Sequence, residues 1–320
     1  MPDQLDSISP LDGRYNKDAA VLSHYFSESA LMRYRLQIEV EYLIALSNDN
    51  KITALPPIPN LVQTTLRKLY EKFDSRTARR IKKIETQTNH DVKAIELYIG
   101  EKLKKINLSK FIPWVHFGLT SEDINNIAYS LMWRDGMKYV YLPMLNALQK
   151  EIKKLSRLYS SVAMLALTHG QAATPTTFGK EMAVFHRRLN RQAAMLKEQR
   201  LQGKISGATG TWAAHTVTYP GIDWIRFSGR LVKRFGLNPN PVTTQVEPHD
   251  SLAESYHILA RINSILIDFT RDMWFYLSGH GAWIQSKPFY QAPGKADPIY
   301  SRIGHYMGGP GTSSATDFPL

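Results

Sequence analysis

SLAESYHILARINSILIDFTRDMWFYLS, residues 251–278, decides the fold. Leu252, Tyr256, Leu259, Ile262, Leu266, Phe269, Met273 and Tyr276 recur at steps of three and four, the period of one helical face. The stripe runs for roughly seven turns, longer than an average globular helix. Upstream, Phe178, Met182, Phe185, Leu189, Ala193 and Leu196 form a second stripe. Leu145, Leu148, Ile152, Leu155 and Tyr159 make a third, opening just after Pro143, which starts or kinks it. Long amphipathic helices bury such stripes against one another, and a bundle is the natural product. Strand-like alternation is almost absent. The expected fold is mainly α, with an N-terminal helical domain over residues 1–110 and a long-helix bundle core over 111–278.

Composition breaks beyond that helix. Residues 279–320 hold 12 of the chain's 36 Gly and Pro, and no helical stripe passes through 294–320. This atypical Gly/Pro-rich tail reads as coil that does not continue the bundle.

The chain has 320 residues, enough to bury a large core. No cysteine is present, which excludes a disulfide scaffold, a zinc finger and a thiol nucleophile. The longest apolar runs, such as Ser161–Leu167, are too short to cross a bilayer. The opening residues carry acids early and no apolar run, so no secretory signal is read there and a cytoplasmic location is expected. Forty Lys and Arg against 28 Asp and Glu give a net charge of +12. That balance favours anionic partners, and equally describes lysines on solvated helix faces. Arg76, Arg79, Arg80, Lys82 and Lys83 lack interleaved aromatics, so nucleic acid is disfavoured as a partner.

Polar junctions separate the helices. Thr168-His169-Gly170-Gln171 places an imidazole before a long helix, either for proton transfer or as a cap for a helix starting near Thr176. His90, Asp91 and Lys93 mark a helix entry, where free N–H groups attract anions. Thr120 and Ser121 either cap a helix or hold a carboxylate. His90, His116, His169 and His249 share no helical metal-ligand spacing, so no metal is expected. No phosphate-binding glycine loop appears, and no cofactor is expected.

Five blocks together are more specific than any one of them. SPLDGRY (9–15), TNHDVKA (88–94), HFGLTSEDINN (116–126), THGQAATPTTFGKEM (168–182) and TTQVEPHD (243–250) occur in this order. The set strongly resembles the adenylosuccinate lyase family, bacterial type, of the fumarase/aspartase superfamily, across about residues 7–278. The resemblance implies a superfamily-type bundle, incomplete at its C-terminal end. It also implies β-elimination of fumarate from adenylosuccinate, giving AMP, and from the succinyl-carboxamide ribotide of purine biosynthesis. On that resemblance His169 matches the general acid, and Arg14 and Tyr15 match a pair that grips the nucleotide. Asn89, His90 and Asp91 match a substrate-binding turn, and Thr120 and Ser121 match donors to the succinyl carboxylate. Lys93 and Gln245 match further substrate contacts. The family assembles as homotetramers with sites shared among subunits, and its substrate is an anionic purine nucleotide.

Three positions depart from the family. Ala172 stands where Pro is usual and Leu167 where Arg is common, both beside His169. The family's G-S-S-x-M-P-x-K-x-N-P loop, whose serine is the base, has no match after Ser278. A shifted reading frame or a degenerate end on a truncated gene is the expectation for 279–320. The stripe from Leu252 to Tyr276 is then expected to be exposed. With an acid but no base, the alternative is a non-catalytic helical protein that binds nucleotide or other subunits.

Overall fold

The computed structural model describes residues 4–277. The 279–320 tail, with the expectations attached to it, lies outside the described residues. Contacts divide the described residues into two compact units, 4–137 with 200–253 and 138–199 with 254–277. Both units are discontinuous; residues 4–110 fall within the first, and the 111–278 segment is divided between the two.

The first unit opens with two short helices, α1 (Asn16–Ala19) and α2 (Ser23–Phe26), and then builds around α3 (Glu28–Ser47). Ser27 starts α3 by accepting the Ala30 N–H on its hydroxyl. Leu36, Ile38, Val40, Tyr42, Leu43, Ile44 and Leu46 are all fully buried, so α3 is covered on every side rather than striped. Around it pack α4 (Asn60–Glu71), α5 (Ser75–Thr88), α6 (Asp91–Lys105) and α7 (Ser121–Gly136). Buried charge on α3 is paired: Glu41 takes Arg67 at 2.7 Å, Tyr70 at 2.9 Å and Arg234 at 3.1 Å. The basic run on α5 is partly consumed likewise, Arg80 by Glu101 and Lys82 by Glu28 and Glu85.

The second unit pairs α8 (Leu142–Leu158) with α9 (Phe178–Glu198). Pro143 sits in the first turn of α8, as its stripe requires. The stripe of α9 is buried at all six predicted positions, and that of α8 at all but the half-buried Tyr159. Between them the chain forms a hairpin, β1 (Ala163–Thr168) and β2 (Gln171–Thr177), where the sequence predicts no strand. Thr168 faces Gln171, leaving His169 and Gly170 as a two-residue turn, both with positive φ (53° and 72°). That combination is a type I′ hairpin turn, whose twist matches the strands. Thr177, not His169, caps α9, by accepting the Lys180 N–H.

Back in the first unit follow β3 (Gln202–Gly203), α10 (Ala213–Thr218), α11 (Trp224–Arg234) and β4 (Asn238–Pro239), with β3 and β4 parallel. The last helix among the described residues, α12 (Asp250–Leu277), is the long one the sequence predicts. Its buried face differs in the middle: Leu252, Ser255, Ile258, Ile262, Ile265, Phe269, Met273 and Tyr276 are buried. Tyr256 is half exposed and Leu259 and Leu266 are only partly covered. The expected exposure of the whole Leu252–Tyr276 stripe is therefore corrected. In the second unit Phe269 packs on Phe185 and Tyr276 on Phe178, and Asp268 pairs with Arg188. Among the described residues no helix is long and apolar enough to cross a membrane.

Candidate active site

Thr88-Asn89-His90-Asp91 joins two helices in the space of two residues. Asn89 closes α5 in the left-handed region (φ 50°), which Asn tolerates better than most residues. His90 opens α6, its Nδ1 accepting the Lys93 N–H at 3.2 Å. Asp91 pairs with Arg35 at 2.6 Å, and Arg35 Nε donates to Asn125 Oδ1 at 2.9 Å. Arg35 thereby ties the start of α6 to the first turns of α7. Partial burial pushes the Asp91 carboxyl up, but Arg35 and the Val92 N–H outweigh it and hold the pKa below its ordinary value. Lys93 is half exposed and pairs with Glu96 one turn on.

The N-terminus of α7 is built in more detail. Thr120 is the N-cap residue, and its own N–H donates to Asp123 Oδ2 at 3.0 Å. Gln245 Nε2 donates to Thr120 Oγ1 at 3.3 Å, bringing together two residues far apart in sequence. Ser121 follows at the first helical position. Down the same helix, Asp123, Asn126 and Ser130 read the extended segment 202–207 like rungs. Asn126 exchanges hydrogen bonds with the backbone N–H and carbonyl of Lys204, and Ser130 donates to Gln202 O. Gly210 (φ 75°) lies so close to the Thr243 and Thr244 carbonyls that any Cβ would collide, which presses the Gln245 segment onto this one.

Three buried features escaped the sequence reading. His116, held at φ 62°, places Nδ1 2.5 Å from Oε1 of Glu39, a carboxylate with no exposure at all. Burial lowers the His116 pKa, but the hydrogen bond and charge of Glu39 outweigh that and raise it. His116 stands one turn before Thr120, since Leu119 N–H donates to its carbonyl. Lys204 and Asp123 form an ion pair at 3.0 Å, with neither side chain exposed. Finally, His249 lies between Glu122 (3.6 Å) and Glu247 (3.4 Å), and burial raises the Glu122 pKa against the pull of His249. Pairing across 77 and 81 residues leaves no local signal, although the i, i+3, i+7 spacing of Asp123, Asn126 and Ser130 on an otherwise apolar face was visible.

The expected residues are divided between the two units. Arg14 and Tyr15 lie at the exposed start of the first unit, the guanidinium 5.8 Å from the ring. His169, at the exposed hairpin tip, belongs to the second unit. Within the first unit the Asn89–Asp91 turn, Thr120, Ser121 and Gln245 do gather around the starts of α6 and α7. Among the described residues no group of His, Asp and Glu could hold a metal ion.

The sequence profile of a lyase family, described simply as "Lyase", matches residues 13–301. The chain belongs to this lyase family. The chain is similar to proteins named adenylosuccinate lyase. Over 275 residues it is 42% identical to that of Legionella pneumophila strain Corby, 44% to that of Buchnera aphidicola from Acyrthosiphon pisum, and 42% to that of Escherichia coli K12. Each match covers 86% of this chain and 60% of the relative, so the chain spans about three-fifths of their length. In fold it is similar to a fumarate lyase from Mesorhizobium sp. BNC1, with TM-score 0.64 and 21% identity over 82% of this chain and 58% of that one. A β-carboxy-cis,cis-muconate cycloisomerase from Acinetobacter calcoaceticus gives TM-score 0.62 at 19% identity, over 82% and 59%. The superfamily bundle expected from the resemblance is thus the fold.

Proposed function

We propose that the chain is an adenylosuccinate lyase, eliminating fumarate from adenylosuccinate and from the succinyl-carboxamide ribotide of purine biosynthesis. The observation that carries this reading is the 42–44% identity over 275 residues to proteins of that name. In the elimination a proton leaves the carbon beside a carboxylate, the carbon–nitrogen bond breaks, and the departing nitrogen takes a proton. Thr120 and Ser121, at the positive N-terminal end of α7, receive a succinyl carboxylate. Gln245 fixes the Thr120 hydroxyl, and Arg35 holds the Asn89–Asp91 turn next to it. This assigns Asp91 to positioning, because its carboxylate is already committed. His90 and Lys93 offer cationic or donor groups from the same helix entry, and Arg14 with Tyr15 a phosphate grip and a stacking ring. His169 protonates the leaving nitrogen from a turn that presents its ring to solvent. In this reading the enzyme works in the cytoplasm as a homotetramer on an anionic nucleotide.

The alternative is a non-catalytic helical protein, since no stretch of this sequence matches the family's serine-base loop. The chain would then bind nucleotide without turnover. Incubating the purified chain with adenylosuccinate separates the two. Fumarate release that falls about 10²–10⁴-fold in His169→Asn supports the lyase. Asn keeps the left-handed turn, so the loss would report proton transfer. Binding of AMP without fumarate release supports the second reading, and neither binding nor release overturns both.

A further inference from the structure

The helix that is to receive a carboxylate carries two of its own in the first turn, Glu122 and Asp123. A capping acid at this place normally competes with an incoming anion, since it uses the N-terminal N–H groups and repels negative charge. Asp123 is the nearer problem, because it takes the N–H of Thr120 itself. Its oxygens also accept the Ser206 N–H at 2.9 Å and the Gly207 N–H at 3.0 Å. Those three bonds hold the cap but leave the negative charge in place.

Lys204 answers it. Its ammonium lies 3.0 Å from Asp123 Oδ1 and donates to the Gly207 carbonyl at 3.0 Å, with a side chain of zero exposure. A fully buried lysine is costly and is rarely present for stability alone. Its backbone is fixed on α7 by Asn126, so the ammonium is aimed by the same helix whose charge it balances. The other acid, Glu122, faces His249.

We propose that Lys204 is a positioning residue that neutralises Asp123 in place, so that the start of α7 can bind the succinyl carboxylate. This rests on the lyase reading above. Asp123 orders the cap, and Lys204 removes the electrostatic penalty of using an acid to do so. The prediction concerns selectivity between ligands as much as strength. Adenylosuccinate carries carboxylates, whereas AMP shares its phosphate, ribose and base but has none.

The test is calorimetric binding of adenylosuccinate and AMP to the full chain and to Lys204→Met and Asp123→Asn. In Lys204→Met, adenylosuccinate should weaken by about tenfold or more relative to AMP. In Asp123→Asn, which leaves the ammonium unopposed, adenylosuccinate should tighten relative to AMP. A purely structural pair would shift both ligands together in both variants, and that result overturns the proposal. Should Lys204→Met fail to fold, the sign in Asp123→Asn decides alone, a selective loss of adenylosuccinate there being refuting. A wild-type chain that releases fumarate from adenylosuccinate, with variants that show no selective change, overturns this inference alone; one that binds no adenylosuccinate removes the lyase reading as well.

Discussion

His215 should make the first unit acid-sensitive in a way that one substitution can isolate. The ring is 1% exposed and is enclosed by Phe117 and Trp224, with centroids at 5.9 and 4.8 Å. Tyr42 gives its hydroxyl proton to the Phe117 carbonyl at 2.6 Å, so at 2.9 Å from His215 Nε2 it can only accept. That fixes the neutral tautomer with hydrogen on Nε2 and leaves Nδ1 buried without a partner. Protonating Nδ1 would bury a cation with no acceptor. Desolvation accordingly lowers the pKa from 6.5 to about 4, against a smaller upward pull from Asp123. At about 1.36 kcal/mol per tenfold change in proton affinity, this depression corresponds to about 3 kcal/mol. Because the unfolded chain binds the proton more readily, the stability is complete above pH 6.5 and is lost as pH falls towards 4. Urea unfolding followed by tryptophan fluorescence from pH 4 to 8 measures it, since Trp212 and Trp224 belong to this unit. His215→Gln keeps an N–H for Tyr42 but does not titrate, so the difference between the two pH curves isolates His215 from His116 and Glu122. Parallel curves would refute the reasoning.

The remaining predictions concern the same unit and its neighbour. Gly118→Ala should destabilise by about 3 kcal/mol or more, measured by thermal melting: the backbone is left-handed (φ 68°), and a Cβ would lie 2.8 Å from the rigid His215 ring. Asp91→Asn should cost about 1–2 kcal/mol, because it leaves the buried Arg35 facing a neutral partner. The Asp91 contribution is present above about pH 4 and fades as pH falls further, so wild type and variant should converge in urea titrations at low pH. In the second unit, Phe269→Ala should cost about 3–5 kcal/mol, since the ring is wholly buried against Phe185.

Helices with one buried face were legible in the sequence. The α9 stripe is buried position for position, and Pro143 marks the start of α8, because a helix half in water must write its period in apolar residues. The central helix α3 was not singled out for the opposite reason: with Leu36 through Leu46 covered on all sides, its apolar residues show no stripe. In α12 the predicted face drifts because Tyr256 is large and apolar yet half exposed and Leu259 and Leu266 are only partly covered, so apolar type alone misassigns the middle turns. The hairpin was missed because its second strand, QAATPTT, is largely exposed and so never alternates.

The site was legible where chemistry and local geometry coincide, and illegible where pairing is distant. Asn89, His90 and Thr120 announce themselves by type and place, since caps and left-handed joints are local demands. What those joints do is set by partners that no local window contains: Arg35 for Asp91, Glu39 for His116, Lys204 for Asp123. Each partner lies inside a helix or segment that otherwise looks like core, and each is a charge burial would forbid without its mate. A buried charge in an apolar stretch is therefore the sequence signal for a distant polar group. Arg35, Glu39 and Glu41 in RLQIEVEYLIAL already stated that three such groups must arrive from elsewhere, and two of the elements that supply them begin at the candidate site.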